Sequence, residues 1–284
     1  MQFSVLMSVY KNTKLNELKE CIESLQEQTL RADEYVIVED GAVSEEVGDY
    51  LSGLEKSDNK FRIVVLEKNV GLGNALREGM QHCSFEIIAR MDTDDICVKE
   101  RFEKQLKLFE NDDEISVVGS NIAEFVDGVD NIIACREVPV NHKEICEFLK
   151  TRDPFNHMTV ILRKTHVMNA GGYLPWHFNE DSYLWVRMYL NGAKFANINE
   201  NLVYARVGAD MYARRGGYKY FKSEKGILKF KRKNKVIGIG TYISQVIIRF
   251  VAECMLTNRM RSWLYKKHLR QPLAKEEIGK DNVS

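Results

Sequence analysis

Asp92-Thr93-Asp94-Asp95 places three carboxylates within four residues. Such a group repels itself unless a cation or a positively charged ligand sits among its members. Mg²⁺ and Mn²⁺ suit it, because such ions take one or two protein carboxylates and complete their shell with water and substrate phosphate oxygens. The alternative is that the aspartates cap a helix opening near Val98. Asp40, within Glu39-Asp40-Gly41, can accept hydrogen bonds from a base or a ribose, or serve as a helix cap. The segment Glu67-Lys68-Asn69-Val70-Gly71-Leu72-Gly73-Asn74 lacks Gly-x-Gly-x-x-Gly, which counts against nicotinamide chemistry and leaves an ordinary turn as one reading. Glu180-Asp181 opens a helical stretch, where carboxylates also suit the positive end of the helix dipole.

Alternating strands and helices must position these groups. Phe3–Val9 reads as a buried strand, followed by Leu15, Leu18, Ile22 and Leu25 at helical spacing. Further strands are predicted at Tyr35–Val38, Phe61–Leu66 and Phe85–Met91. Helices between and after them are marked by Val47, Leu51 and Leu54, by Leu72, Leu76 and Met80, and by Val98, Phe102, Leu106 and Phe109. Units of this length call for a mostly parallel sheet covered on both faces. Right-handed crossovers set the loops after the strands along one edge, where open α/β sheets bind ligands. Ser8, Tyr10, Asp40, Asn74 and the three aspartates all fall near that edge. Past residue 112 the regularity fades, with strands predicted at Ile115–Val118, Ile132–Val138, Met158–Leu162 and Leu202–Val207 and helices at His142–Leu149 and Asp181–Leu190.

The chain of 284 residues is 44% hydrophobic and 29% charged with only 4 prolines, which excludes a disordered chain, a collagen-like repeat and a disulfide scaffold. Its 41 basic and 41 acidic side chains cancel but are segregated. Residues 1–210 hold 23 Lys and Arg against 36 Asp and Glu, whereas residues 211–270 hold 16 against Glu224 and Glu253 alone. An acidic body with a basic appendage points to an anionic surface or ligand for the appendage. The 6 cysteines are scattered, with no Cys-x-x-Cys pair, so buried free thiols in a reducing compartment are expected. Met1–Val9 runs into a strand rather than a leader, and the apolar run Val236–Ile248 falls short of the roughly 20 residues that span a bilayer.

Five segments, in order, carry a family resemblance: Val5-Leu6-Met7-Ser8-Val9-Tyr10, Val36-Ile37-Val38-Glu39-Asp40-Gly41, Asn69 to Gly79, Ile88 to Asp95, and Asn179 to Met188. Together, over roughly residues 3–210, the chain resembles family 2 of the inverting glycosyltransferases. The resemblance implies the GT-A fold, an α/β, Rossmann-like architecture with a mostly parallel central sheet and helices on both faces. It implies that Asp40 contacts the uracil of a nucleotide sugar, in a pocket shaped by Ser8 and Tyr10. Asp92 would contact ribose or donor sugar, and Asp94, with Asp92, would hold Mn²⁺ or Mg²⁺ bridging the two phosphates. Asn74, Arg77 and Arg90 fall with the donor-binding residues, Arg90 equally being a partner for the carboxylates. Inverting transfer needs a base opposite the departing group; the family's motif puts it at Asp181, with Glu180 as the fallback. Arg187 would pair with these carboxylates or with the diphosphate, and Arg214 would lie in a loop closing over a diphosphate. His157 and Trp176 are assigned to the acceptor, a structural role for His157 being equally open.

The resemblance further implies transfer of a hexose, of the galactose or glucose type, from a UDP-sugar to an undecaprenyl-diphosphate-linked saccharide in bacterial surface polysaccharide synthesis. A non-catalytic nucleotide-sugar or lipid-diphosphate binding protein is the alternative. A nucleotidyltransferase would need a glycine-rich, lysine-bearing loop where Tyr10-Lys11-Asn12-Thr13 stands. Residues 1–217 are expected to form the transferase domain and residues 218–284 a basic, amphipathic helical region. Lysines and arginines interleaved with Ile227, Leu228, Phe230, Ile237, Ile239, Tyr242, Val246 and Ile247 suit an anionic lipid surface, or else packing on the body or a second subunit. No nucleic-acid motif accompanies them. The expected location is cytoplasmic, peripheral on the inner face of the plasma membrane, with self-association left open.

Overall fold

A computed structural model describes residues 1–208, 216–257 and 260–261. The first strand, β1 (Phe3–Val9), is buried at every position but Ser8, as a strand covered on both faces must be. It pairs in parallel with β2 (Glu34–Asp40) on one side and β4 (Ile87–Arg90) on the other, and β2 pairs in parallel with β3 (Phe61–Leu66). The helices α1 (Leu15–Gln26), α2 (Glu45–Ser57) and α3 (Leu72–His82) make the crossovers. One nine-stranded sheet results; from β3, β2, β1 and β4 it continues through strands at Ile161–Arg163, Ile115–Val126, Lys194–Arg206 and Ile96–Cys97, with a ninth, Gly128–Arg136, paired to Ile115–Val126.

The second half departs from strict alternation. After α4 (Arg101–Asn111), the long strand β6 (Ile115–Val126) pairs in parallel with β9 (Lys194–Arg206). It also pairs antiparallel with β7 (Gly128–Arg136) and with β8 (Ile161–Arg163), which is itself antiparallel to β4. Met158 lies in a 3₁₀ turn (His157–Thr159) before β8, not in the strand predicted to include it. Strand β9 begins eight residues before the predicted Leu202, bending through register shifts against β6. The short strand β5 (Ile96–Cys97) was not predicted from periodicity; it pins Ile96 opposite Tyr204 and Cys97 opposite Val203.

The sheet separates two cores. One is built from β1, α1, α2 and α4, with Phe3 edge-on to Phe102. The other gathers α3, α5 (His142–Leu149), α6 (Lys164–Asn169) and α7 (Glu180–Leu190) around Trp185, Phe155 and Phe195. The free thiols Cys21, Cys83, Cys97 and Cys135 are buried.

The basic region folds back as a hairpin of α8 (Tyr218–Lys233) and α9 (Ile239–Phe250), capped by a π-helical turn, Val251–Met255. Helix α8 buries Phe221, Ile227 and Leu228, and Phe221 meets Phe250 edge-on, which sets the two helices antiparallel. Ile227, Leu228 and Ile237 are therefore core residues, for which packing on the body, the second of the two readings, holds; Val236 is buried beside them. The hairpin's two acids also turn inward: Arg249 bonds Glu224 at 2.6 Å and lies 3.7 Å from Glu253. Burial pulls the Lys231 ammonium down to about 8, and it donates to the carbonyl of Leu149. Among the described residues, no helix is long and apolar enough to cross a membrane.

Candidate active site

The acidic loop is fixed between two strands. β4 ends at Arg90 and β5 begins at Ile96, so Asp92–Asp95 span a short bridge whose ends are both pinned to the sheet. Helix α4 opens only at Arg101, too far on for these aspartates to cap it. One carboxylate oxygen from each of Asp92, Asp94 and Asp95 lies within 4.8 Å of the others. Asp94 keeps an exposed surface, yet desolvation by the surrounding protein and the neighbouring Asp92 push its carboxyl up to about 6. Burial, then Asp94 and Asp92, push Asp95 well above the usual carboxylate range. The Oδ1 of Asp95 accepts the Arg206 amide at 2.8 Å, while its buried Oδ2 has no protein partner. Three convergent carboxylates with an orphaned oxygen fit a hard, oxygen-seeking divalent cation.

Arg90 links this group to the rest of the site. Its side chain is 2% exposed and bonds Asp92 through Nη2, while Nε and Nη1 have no protein partner. Two buried, uncommitted donors on a fixed guanidinium are suited to oxygen atoms of an anionic ligand. The same positive charge favours ionised Glu180 and Asp181 and disfavours protonation of His157. Arg90 therefore stands among both acidic groups singled out in the sequence.

Asp40 sits at the end of β2 with its carboxylate turned to the loop before α3. It accepts from the Val70 amide at 2.6 Å, the Gly71 amide at 3.0 Å and Asn69 Nδ2 at 2.9 Å. It caps no helix; α2 opens later, after Ser44. Gly41, at φ 76°, allows the loop's close approach: a Cβ there would lie 2.4 Å from the Asn69 nitrogen. Asn74 donates to the Val70 carbonyl at 2.9 Å and tightens the same turn. Ser8 is half-buried near the end of β1, Tyr10 is exposed beyond it, and Arg77 is exposed on α3.

Glu180 and Asp181 form the first turn of α7; the residue before them, Asn179, makes no side-chain capping bond, while Asp181 Oδ1 accepts the Ser182 amide at 2.7 Å. Burial raises Glu180; burial, Asp153 and Glu180 raise Asp181 well above the usual range. A carboxylate so raised is a stronger base than one in water. Asp153 is itself held by the Ser182 hydroxyl, next to Asp181. The preceding loop is braced by α8: Asn179 Nδ2 donates to Ser223 Oγ at 2.9 Å, and Ser223 Oγ donates to the His177 carbonyl at 2.6 Å. Phe178, between them, has φ 73°, a strained conformation for a bulky residue that this bracing and its packing against Tyr220 help hold.

One expected pairing changes, and two residues assigned to the acceptor make structural contacts. Arg187 does not meet the carboxylates; it donates to the carbonyls of Ala170 and Gly172, closing a turn whose glycines have φ 90° and 68°. Trp176, assigned to the acceptor, lies half-buried against Tyr183, with Gly226 of α8 leaving room for its ring. His157 bonds Tyr173 at 2.8 Å and packs against Trp185, and burial holds it neutral, which gives it a structural contact whatever else it meets. Arg214 lies outside the described residues. Arg206, Asp153 and Ser223 were not singled out from sequence; Arg206 braces the acidic loop through Asp94 and Asp95 backbone and side-chain oxygens and reaches Glu20 on α1.

Residues 4–168 match the family model "Glycosyl transferase family 2". The chain is 38% identical over 268 residues to the amylovoran biosynthesis glycosyltransferase AmsE of Erwinia amylovora, covering 93% of this chain and 98% of that one. It is 33% identical over 271 residues to the Escherichia coli UDP-Gal:alpha-D-GlcNAc-diphosphoundecaprenol beta-1,3-galactosyltransferase, covering 95% and 97%. Among solved structures, S. aureus TarS 1-349 in complex with UDP-GlcNAc superposes with a TM-score of 0.67 at 17% identity, over 95% of this chain and 77% of that one. The fold is the GT-A type that the sequence led us to expect.

Proposed function

The chain belongs to glycosyl transferase family 2, and from that premise we propose that it transfers a hexose, with inversion, from a UDP-sugar to an undecaprenyl-diphosphate-linked saccharide in bacterial surface polysaccharide synthesis. The polysaccharide and galactosyltransferase activities in the names of its relatives support this reading, and galactose is the favoured sugar. The observation that carries it is the pairing of two acidic groups of opposite use around Arg90: one clustered as for a cation, the other half-buried and made more basic.

In this reading Asp94 and Asp92, with Asp95, hold Mn²⁺ or Mg²⁺. The cation, when bound, supplies positive charge against the departing diphosphate. Asp40 shapes the uridine pocket with Tyr10 and Ser8 by fixing the Asn69–Gly71 loop. Arg90 offers its free Nε and Nη1 to donor oxygens, and we assign Arg77 and Asn74 to the donor as well. Asp181 takes the proton from the acceptor hydroxyl as its oxygen attacks the anomeric carbon, and its raised pKa lets it keep that proton. Glu180 adds negative charge beside it. An enzyme with a lipid-linked acceptor works at the membrane, and we place this one peripherally on its inner face.

Incubating the purified protein with UDP-galactose, Mn²⁺ and a short-chain GlcNAc-diphospholipid tests the proposal. A β-linked disaccharide product supports it; nucleotide-sugar binding without transfer would mark a non-catalytic binding protein instead.

A further inference from the structure

The hairpin's outward face has a composition that its inward face does not explain. Along α8, Lys219, Lys222, Lys225, Lys229, Arg232 and Lys233 are exposed, and none forms an ion pair among the described residues. The hairpin's acids, Glu224 and Glu253, do not neutralise them; both are buried against Arg249. Antiparallel to that row, α9 buries no residue fully. Ile239, Ile243, Ile247, Val251 and Met255, each four residues on from the last, are between 41% and 66% exposed. Residues at that spacing form one stripe along a helix.

Solvent exposure of such a stripe costs free energy with no folding gain, because the core contacts of α9 are made by Tyr242 and Val246 on its other side. A basic row beside an apolar ridge matches one partner chemistry closely: an anionic lipid surface, which takes apolar side chains among its acyl chains and cations at its headgroups. A second copy of the chain would meet like charge with like charge. We infer that the α9 stripe inserts into the headgroup–acyl boundary of an anionic membrane while the α8 cations lie on its phosphates. The inference rests on the membrane-associated reading above and names the face that makes contact.

Flotation of the full chain with phosphatidylcholine vesicles, with and without phosphatidylglycerol, tests it without any sugar substrate. Binding is expected only with phosphatidylglycerol, and weaker as salt rises past the physiological range. Ile243→Glu with Ile247→Glu should weaken binding by roughly two orders of magnitude, while transfer to a water-soluble acceptor stays unchanged. Lys225→Glu with Lys229→Glu should remove the lipid selectivity. Equal binding by the double-glutamate variant, or a dimer in solution that this variant dissociates, would overturn the inference. The transfer assay is scored separately, so loss of the enzymatic reading and loss of this one are distinguishable.

Discussion

Acidification should strip the divalent cation from Asp92, Asp94 and Asp95 while the fold persists. The Asp94 carboxyl ionises at about 6 instead of 3.8. Its ionised fraction then falls from roughly nine-tenths at about pH 7 to roughly one-tenth at about pH 5, so Asp94 alone weakens cation binding about tenfold over that interval. Asp95, pushed higher still, adds a second competing proton and steepens the loss. The effect on stability has the opposite sense in the metal-free protein. Raised carboxylates bind more protons folded than unfolded, so their repulsion is absent below the unfolded value of 3.8 and grows as pH rises through about 6. Mn²⁺ relieves that repulsion and should raise Tm more at about pH 7.5 than at about pH 5. Calorimetric titration of Mn²⁺ at the two pH values, with thermal melts alongside, reads both quantities. An affinity unchanged across the interval, or protection greater in acid, would refute the placement of the cation among these carboxylates. Asp94→Asn should both weaken binding and flatten its pH dependence.

Asp181→Asn should lower kcat by about 10²- to 10⁴-fold with little change in donor KM, measured by radiolabelled sugar transfer. The acidic limb of the kcat/KM profile should lie above the ordinary carboxylate range, and Asp153→Asn should move it down, because a neighbouring negative charge no longer opposes ionisation of Asp181. Ser223→Ala removes both contacts that brace the strained Phe178 loop, and should lower kcat about tenfold while donor KM holds; Ser223→Thr, which keeps the hydroxyl, should restore it. Arg249→Met leaves Glu224 and Glu253 buried without their cation and should cost about 3–5 kcal/mol by denaturant unfolding.

What could be read in the sequence was whatever is local. The acidic loop stood out because three like charges follow directly on a buried apolar strand, a conflict visible without any fold. The first three strand–helix units were legible because each strand runs apolar on both faces and each helix keeps its spacing. The antiparallel half was harder: β5 is two residues long, and it exists only because β9 passes beside it. The residues that hold the site's parts in place were invisible for the same reason. Arg206 reaches an acidic loop more than a hundred positions earlier, a pairing that no local pattern announces. Ser223 braces the loop before Glu180 by one hydroxyl from a helix that looked, on charge alone, like an appendage. Arg187 shows the converse: it lies on α7 with the acidic pair, yet the helix turns it toward the carbonyls of a glycine turn. Charge segregation pointed to the hairpin, but which of its apolar residues remain outside depended on burial. Helix α8 gives Ile227, Leu228 and Lys231 to the interior and one serine to the loop before Glu180, and leaves its other lysines outside beside the α9 stripe. One element thus supports the proposed base on its inner side and presents the proposed lipid contact on its outer side.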